Sequence, residues 1–225
     1  MMTSDLALLR LLQLASPGLP VGGFTYSQGL EWAVEAGWVK DAKGFAAWQR
    51  EQLHDTLGHL DWPLLARLYR ACQADDADAF AHWSLFLLAN RETAELRLEE
   101  RQRGSALARL LDGWQLAQAP AWRASLELSQ LGGMAWLGAH WSIPLRQLAL
   151  GHGFAWLEGA VMAGVKLVPF GQQAAQTLLR DLGEELPAVL DHALALDDDQ
   201  LGGGLPLLAI ASSRHETQYT RLFRS

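Results

Sequence analysis

The stretch LALGHGFAWLEGAVMAGVKLV, residues 148–168, is a long apolar run, and its interpretation decides the fold. Its only formal charges are Glu158 and Lys166, so by length alone it is long enough to cross a bilayer. Charges inside a membrane span are costly, four glycines weaken the apolar signal, and no basic flank sets an orientation. We therefore expect a helix buried on nearly all sides within a protein core, and no membrane partner.

The rest of the chain also predicts helices, because Leu, Ala, Glu, Gln and Arg dominate and no alternating β-branched run is present. We expect an all-α, single-domain bundle of about ten helices. The predicted helices lie near 5–15, 26–37, 42–58, 61–72, 76–89, 91–112, 120–133, 144–168, 171–182 and 185–195. The acidic and glycine-rich segment LDDDQLGGGLP, 196–206, is expected to be a hinge between a helical core, 1–205, and a tail, 206–225.

The amino-acid composition argues against some classes of function and indicates the cellular compartment. The 225 residues contain 18 basic and 25 acidic residues and carry a net charge of -7, which opposes nucleic-acid binding. The single cysteine, Cys72, cannot form an internal disulfide, and the start of the sequence lacks the pattern of a signal peptide. Both features lead us to expect a protein of the reducing cytoplasm.

The loop SPGLPVGGFTYSQGLE, residues 16–31, has the glycine spacing of a phosphate-binding loop but not its chemistry. Phe24 stands where the lysine is required, Pro20 removes a backbone N–H, and a helix rather than a strand precedes the loop. Thr25 and Gln28 instead fit a capping box, which predicts that a helix begins here. We expect the loop to be a capped turn whose glycine-rich apolar surface serves assembly.

Two acidic faces follow from helical spacing. Gln28, Glu31 and Glu35 share one face of the predicted second helix, and the ordinary interpretation is a solvated surface. In RETAELRLEERQRGSALARLL, residues 91–111, charges of opposite sign four residues apart predict helix-stabilising ion pairs; these are Arg91–Glu95 and Glu99–Arg103. Glu92, Glu95 and Glu99 nevertheless crowd one side, so a basic partner is the alternative.

Catalytic and metal-binding motifs are missing from the sequence. The seven histidines are dispersed, no H-E-x-x-H or Cys/His cluster occurs, and Cys72 has no neighbouring base. No cofactor is expected. Two alternatives stay open: a small helical enzyme with Glu158 as general base near His152, and a carrier of an apolar ligand that uses some of the ten tryptophans.

The tail has its own pattern. Ser213 and Glu216 fit a second capping box, after which Tyr219, Leu222 and Phe223 fall on one face of a predicted helix. An apolar terminus with several arginines has little reason to stay exposed. We expect the tail to become ordered on a partner, as a helix in a groove.

Four blocks in the same order resemble the urease accessory protein F family. They are LLQLASPGLPVGGFTYSQGLEWAVEAGWV at 11–39, the acidic segment ETAELRLEERQRGSALARLL, AVMAGVKLVPFGQQAAQ at 160–176 and LLAIASSRHETQYTRLFRS at 207–225. The resemblance implies an all-helical, non-catalytic homodimer that acts in nickel insertion into apo-urease. It further implies binding to the accessory protein called D or H, and recruitment and control of the nickel-carrying accessory GTPase.

The resemblance also implies a set of partner-binding residues. Glu95 and Lys166 match exposed charged positions that meet the GTPase or apo-urease. The residues that match the N-terminal motif are Gly22, Gly23, Tyr26, Gln28 and Glu31. Those that match the tail docking on the D or H protein are Arg214, His215, Glu216, Tyr219, Arg221, Leu222 and Arg224.

Overall fold

A computed structural model describes residues 4–116 and 120–225, and within these ranges the chain forms helices and no strands. The expected all-α class is confirmed. The α-helices are α1 Asp5–Ala15, α2 Leu30–Glu35, α3 Ala42–Gln52, α4 Trp62–Gln73, α5 Ala77–Ala89, α6 Ala94–Gly113, α7 Pro120–Leu126, α8 Gln130–His140, α9 Leu145–Leu167, α10 Gln172–Gly183, α11 Leu186–Leu194 and α12 Pro206–His215.

The long apolar run forms α9, which packs against α1, α10 and α11. In the described residues it is the one helix long and apolar enough to cross a membrane, but three of its four glycines lie where a neighbouring side chain approaches closely. A Cβ at Gly153 would lie 2.4 Å from the Trp62 ring, and one at Gly164 would lie 2.7 Å from Phe45. The sequence therefore places glycine where aromatic rings approach the α9 backbone. The helix is nevertheless only partly buried, with Phe154 44% exposed, and not buried on nearly all sides as expected.

Two apolar clusters meet at α9. The larger one surrounds α4, α6 and α8 and includes the fully buried Trp62, Phe80 and Leu107. The smaller one joins α2, α3 and α9 and contains Phe45 together with Phe223 from the tail. Because Phe223 is only 5% exposed, part of the tail belongs to the core.

One predicted helix divides into two. The single helix expected at 120–133 is α7 and α8, and Ser129 begins the second by accepting a hydrogen bond from the Gly132 backbone N–H at 2.8 Å. A Cβ at Gly133 would lie 2.5 Å from Leu107 on α6. These glycines therefore allow close helix packing instead of ending a helix, and α8 continues to His140.

The predicted break near residue 58 is also wrong. A π-helical segment, Leu53–Asp61, joins α3 directly to α4, so that 42–73 is one helical stretch. At Gly58 a Cβ would lie 2.9 Å from Val189 on α11. Wider helical turns of this kind occur mostly as local insertions and often at functional sites.

The capping box predicted at Thr25 does not form. Residues Gly23–Thr25 make a short 3₁₀ turn in which the Thr25 hydroxyl donates to the Gly22 carbonyl at 2.8 Å. Gln28 and Gly29 both adopt positive φ, 51° and 78°, and α2 begins only at Leu30. A Cβ at Gly29 would lie 3.0 Å from the Ser212 backbone nitrogen. Packing of the loop against α12 therefore decides where α2 begins.

The capping box predicted in the tail is wrong as well. α12 ends at His215, within the sequence where a new helix was expected to begin, and residues 216–225 cross back over α2 and α6 without helical structure. Upstream, the Gly202 backbone N–H donates to the His59 carbonyl at 3.0 Å. Independent movement of 206–225 after the glycine-rich hinge stays a prediction.

Candidate partner-binding surface

The tail is attached to the helical core by four polar side chains, Glu31, Glu95, His215 and Arg221, which we call the tail network. His215 is fully buried, and its Nδ1 lies 2.8 Å from Glu95 Oε2 while its Nε2 lies 3.1 Å from Glu31 Oε2. Arg221 donates to the other oxygen of Glu95 at 2.9 Å. Both carboxylates thus meet one imidazole ring, which joins α2 and α6 to the end of α12.

The Glu31 carboxylate contacts the backbone of the tail as well as the His215 side chain. Its Oε1 accepts from the Leu222 N–H at 2.6 Å, and its Oε2 accepts from the Phe223 N–H at 2.9 Å. These donors lie in a segment without helical structure, so the carboxylate replaces the partners that a helix would supply. Glu31 is 8% exposed, which corrects the solvated face expected from sequence.

Glu95 is likewise covered rather than exposed, since its side chain is only 10% accessible beneath Arg221. The expected Arg91–Glu95 ion pair does not form, whereas Glu99–Arg103 does, at 2.9 Å. The basic partner that the acidic crowding suggested is therefore supplied by the chain's own tail. The cause is long-range packing, which helical spacing does not reveal.

Glu216 and Ser212 extend the attachment to the first turn of α6. Glu216 Oε1 accepts from the Ala94 N–H at 2.9 Å, which places a negative charge at a helix N-terminus. The hydroxyls of Thr93 and Ser212 lie 2.7 Å apart, and both residues are buried. Sequence reasoning missed this pair, because its only signal is that Thr93 precedes α6 as a helix cap.

The loop residues expected at the site lie beside the tail. Gln28 accepts from the Trp156 indole N–H at 3.1 Å and donates to Glu99 at 3.1 Å. Tyr26 donates to Gln102 Oε1 at 2.8 Å, and burial raises the pKa of its phenol, with the Glu99 charge adding to the effect. Gly22 adopts a positive φ of 74° at the turn that brings Tyr26 inward. The structure therefore joins the N-terminal motif to the tail.

Several expected residues remain on the surface. Leu207, Ile210 and Arg214 follow i, i+3 and i+7 spacing on α12 and lie at its exposed face. Tyr219 and Leu222, from the segment after α12, are also exposed. This exposed apolar group, with an arginine among it, has the composition of a protein-docking surface.

Lys166 connects α9 to the tail. Its ammonium lies 5.2 Å from the centre of the Phe223 ring, within the range of a cation–π contact, and the residue is exposed. Gly23 is the remaining loop residue of the predicted set, and a Cβ there would lie 3.6 Å from an Arg103 nitrogen. Lys166 and Gly23 therefore border the same region as the tail.

A cavity of about 190 Å³ extends inward from the loop, between α6 and α9. At its wall Arg91 pairs with Asp61 and Glu100, each at 2.8 Å. Burial raises the pKa of Asp61, and Arg91 opposes that rise. Sequence reasoning missed this ion pair, since an aspartate and an arginine 30 residues apart carry no spacing signal.

The two residues of the enzyme alternative, His152 and Glu158, both line this cavity. Burial, helped by the charges of Arg103 and Arg91, lowers the pKa of His152 to about 3, and its Nδ1 has no protein partner. With so low a pKa, His152 is not in its protonated form at pH 7, so it cannot serve Glu158 as an imidazolium general acid. Across residues 4–116 and 120–225 no group of three His, Cys, Asp or Glu side chains is placed to hold a metal ion.

Comparison with known proteins identifies the family of this chain. The UreF family model matches residues 39–183. The urease accessory protein UreF of Pseudomonas entomophila is 90% identical over 224 residues, with both chains covered completely. The proteins of the same name from Klebsiella pneumoniae strain 342 and Citrobacter koseri are each 58% identical; the first alignment covers 96% of this chain and 97% of the relative, and the second covers both completely.

Proposed function

Because the chain belongs to the UreF family of urease accessory proteins, which is non-catalytic, we propose that it acts as an adaptor in nickel insertion into apo-urease. In this role it bridges the accessory D or H protein and the nickel-carrying GTPase, and it controls when the GTPase engages. It acts as a homodimer in the cytoplasm. The observation that carries the proposal is the full-length relationship to proteins named urease accessory protein UreF.

The form of the tail supports one part of this proposal. The tail network fixes residues 215–223 on α2 and α6, while Leu207, Ile210 and Leu222 stay 57%, 45% and 64% exposed. A docking surface that is already ordered loses less conformational entropy on binding than a disordered peptide does. The D or H protein would therefore bind a preformed surface, rather than fold the tail as a helix in a groove.

The experiment is a pull-down of the purified protein with the D or H protein and the GTPase, followed by an assay of urease activation. Tail truncation at Ser212 would remove the buried Phe223, so point variants are better suited. We expect Leu207→Asp with Ile210→Asp to lower D or H affinity at least about 10-fold, since burying an unpaired charge is costly.

Leu85→Asp serves as the matched control, because Leu85 is a similarly exposed leucine, at 56%, on α5. The control variant should bind the D or H protein and support urease activation as the unmodified chain does. Equal binding by the α12 double variant would remove this face from the interface. Normal urease activation in a strain without this protein would reject the adaptor role itself.

A further inference from the structure

A groove of about 480 Å³ lies between the loop before α2 and the middle of α6. Arg101 and Arg109 from α6 and Arg224 from the tail line it. Among the described residues, no aspartate or glutamate contributes to its walls. This group of three arginines stands in contrast to the whole chain, in which 25 acidic residues outnumber 18 basic ones and the net charge is -7.

Arg101 and Arg109 are exposed and have no carboxylate partner within residues 4–116 and 120–225. Most arginines of the described chain behave differently: eight of them form ion pairs. Unpaired guanidinium groups that converge on one groove are available to an external anion, and they prefer planar carboxylates or phosphates, which they bind through two parallel hydrogen bonds.

The floor of the groove is fixed before any ligand arrives. Tyr26 is buried, and its hydroxyl donates to Gln102 at 2.8 Å. The Arg224 backbone N–H donates to the Thr25 carbonyl at 2.8 Å. The backbone of the third arginine is therefore held at the groove.

The spacing along α6 indicates the shape of the ligand. Arg101 and Arg109 are eight residues apart, which corresponds to about 12 Å along a helix axis. In an extended peptide, side chains four residues apart lie on the same side, about 13 Å from each other. One extended segment with acidic residues at i and i+4 matches both arginines.

We propose that this groove binds an extended acidic segment of a partner protein, whose carboxylates pair with Arg101 and Arg109. A nucleic acid fits less well, because three arginines neutralise few phosphates while the chain's net charge of -7 repels a long polyanion. The surface is separate from the exposed face of α12. Arg101 and Arg109 are not among the residues expected to dock on the D or H protein, whereas Arg224 belongs to that set.

The test is fluorescence anisotropy at low ionic strength with a fluorescein-labelled dodecapeptide of serines that carries glutamates four residues apart. We expect it to bind, and we expect Arg101→Glu with Arg109→Glu to weaken binding at least 10-fold. The matched control is Arg70→Glu with Lys43→Glu, which changes the net charge equally at two exposed cations that form no ion pair in the described residues. The control should stay within twofold of the unmodified chain.

Three results would overturn the proposal: no binding of the glutamate peptide to the unmodified chain, equal losses in the two double variants, or tighter binding of a single-stranded oligonucleotide of the same length. A peptide with glutamine in place of glutamate should not bind. Both double variants alter exposed side chains, and matching thermal unfolding curves check that they are folded. Because no urease accessory protein is used, failure here leaves the adaptor role untouched.

Discussion

Replacing Glu31 by glutamine should release the last residues of the tail while leaving the helical core folded. Glu31 accepts three hydrogen bonds through two oxygens, from the backbone of Leu222 and Phe223 and from His215. Glutamine keeps the size and removes the charge and one acceptor. Whichever way its amide is turned, the NH2 group meets a backbone N–H and leaves that donor without a partner.

The size of the effect follows from those contacts. A donor left unsatisfied in a buried site costs about 1–3 kcal/mol, and the loss of charge weakens the bonds that remain. A total of about 2–4 kcal/mol corresponds to a 30-fold to 1,000-fold increase in local opening, at 1.4 kcal/mol per decade. Global stability of a domain is typically about 5–15 kcal/mol, so the core should remain folded.

Hydrogen–deuterium exchange read at the amides of Leu222 and Phe223 measures this opening directly. The control is Glu35→Gln, because Glu35 on the same helix is exposed and bonds only to the Gln218 side chain. We expect protection to fall by the stated factor in Glu31→Gln and by less than threefold in the control. Unchanged protection at Leu222 and Phe223, or equal losses in both variants, would refute the role assigned to the buried carboxylate.

Three further predictions concern the core. The pKa of His152 is about 3 in the folded protein and about 6.5 in the unfolded chain. Below pH 6.5 the unfolded chain therefore binds a proton that the native state does not bind, so the free energy of unfolding falls as the pH falls. Between pH 7 and pH 5, urea titrations should show that the His152→Gln variant loses about 2 kcal/mol less stability than the unmodified chain, and equal losses would contradict this. Gly104→Ala should lower the free energy of unfolding by about 3 kcal/mol, because the new Cβ would lie 2.5 Å from the Ser129 backbone nitrogen. The control is Gly113→Ala on the same helix, which has nothing within 4 Å and should be neutral or slightly stabilising. Equal melting temperatures of the two variants in thermal unfolding would contradict this prediction. Asp61→Asn should cost about 1.5–3 kcal/mol, because Arg91 loses a charge-assisted hydrogen bond but keeps its ion pair with Glu100, and a loss below about 1 kcal/mol would contradict this.

Local patterns predicted the helices where the cause is local. α1 spans Asp5–Ala15 as expected, and α9 begins after Pro144 and ends before Pro169, because proline cannot continue a helix and restricts the residue before it. The errors arose where tertiary packing overrides propensity. Gly133 reads as a helix breaker in sequence, but it lies within α8 because Leu107 occupies the space of a side chain.

The sequence predicted which residues belong to the candidate site, but not which of them contact one another or are buried. Glu31, His215 and Arg221 were named from the family resemblance, yet helical spacing indicated that Glu31 faces solvent. The contact between Glu31 and His215 joins residues 184 positions apart, and no local signal encodes such a pair. The sequence also gave no sign that Glu216 caps α6 in place of a tail helix.

The chemistry of the tail network bears on how the tail serves an adaptor. Apart from Phe223, residues 215–225 are held by hydrogen bonds to Glu31, Glu95 and Glu99 and to the backbone of the loop before α2, and such bonds are directional and specific in register. An apolar contact alone would allow the segment to slide, whereas paired carboxylates fix which residues face the core. Fixing the register also fixes which side chains remain outside, so the exposed positions of Tyr219 and Leu222 are a consequence of the buried charges. A partner that recognises this face therefore depends on residues it never touches, and substitutions at Glu31 should weaken its binding without removing any direct contact.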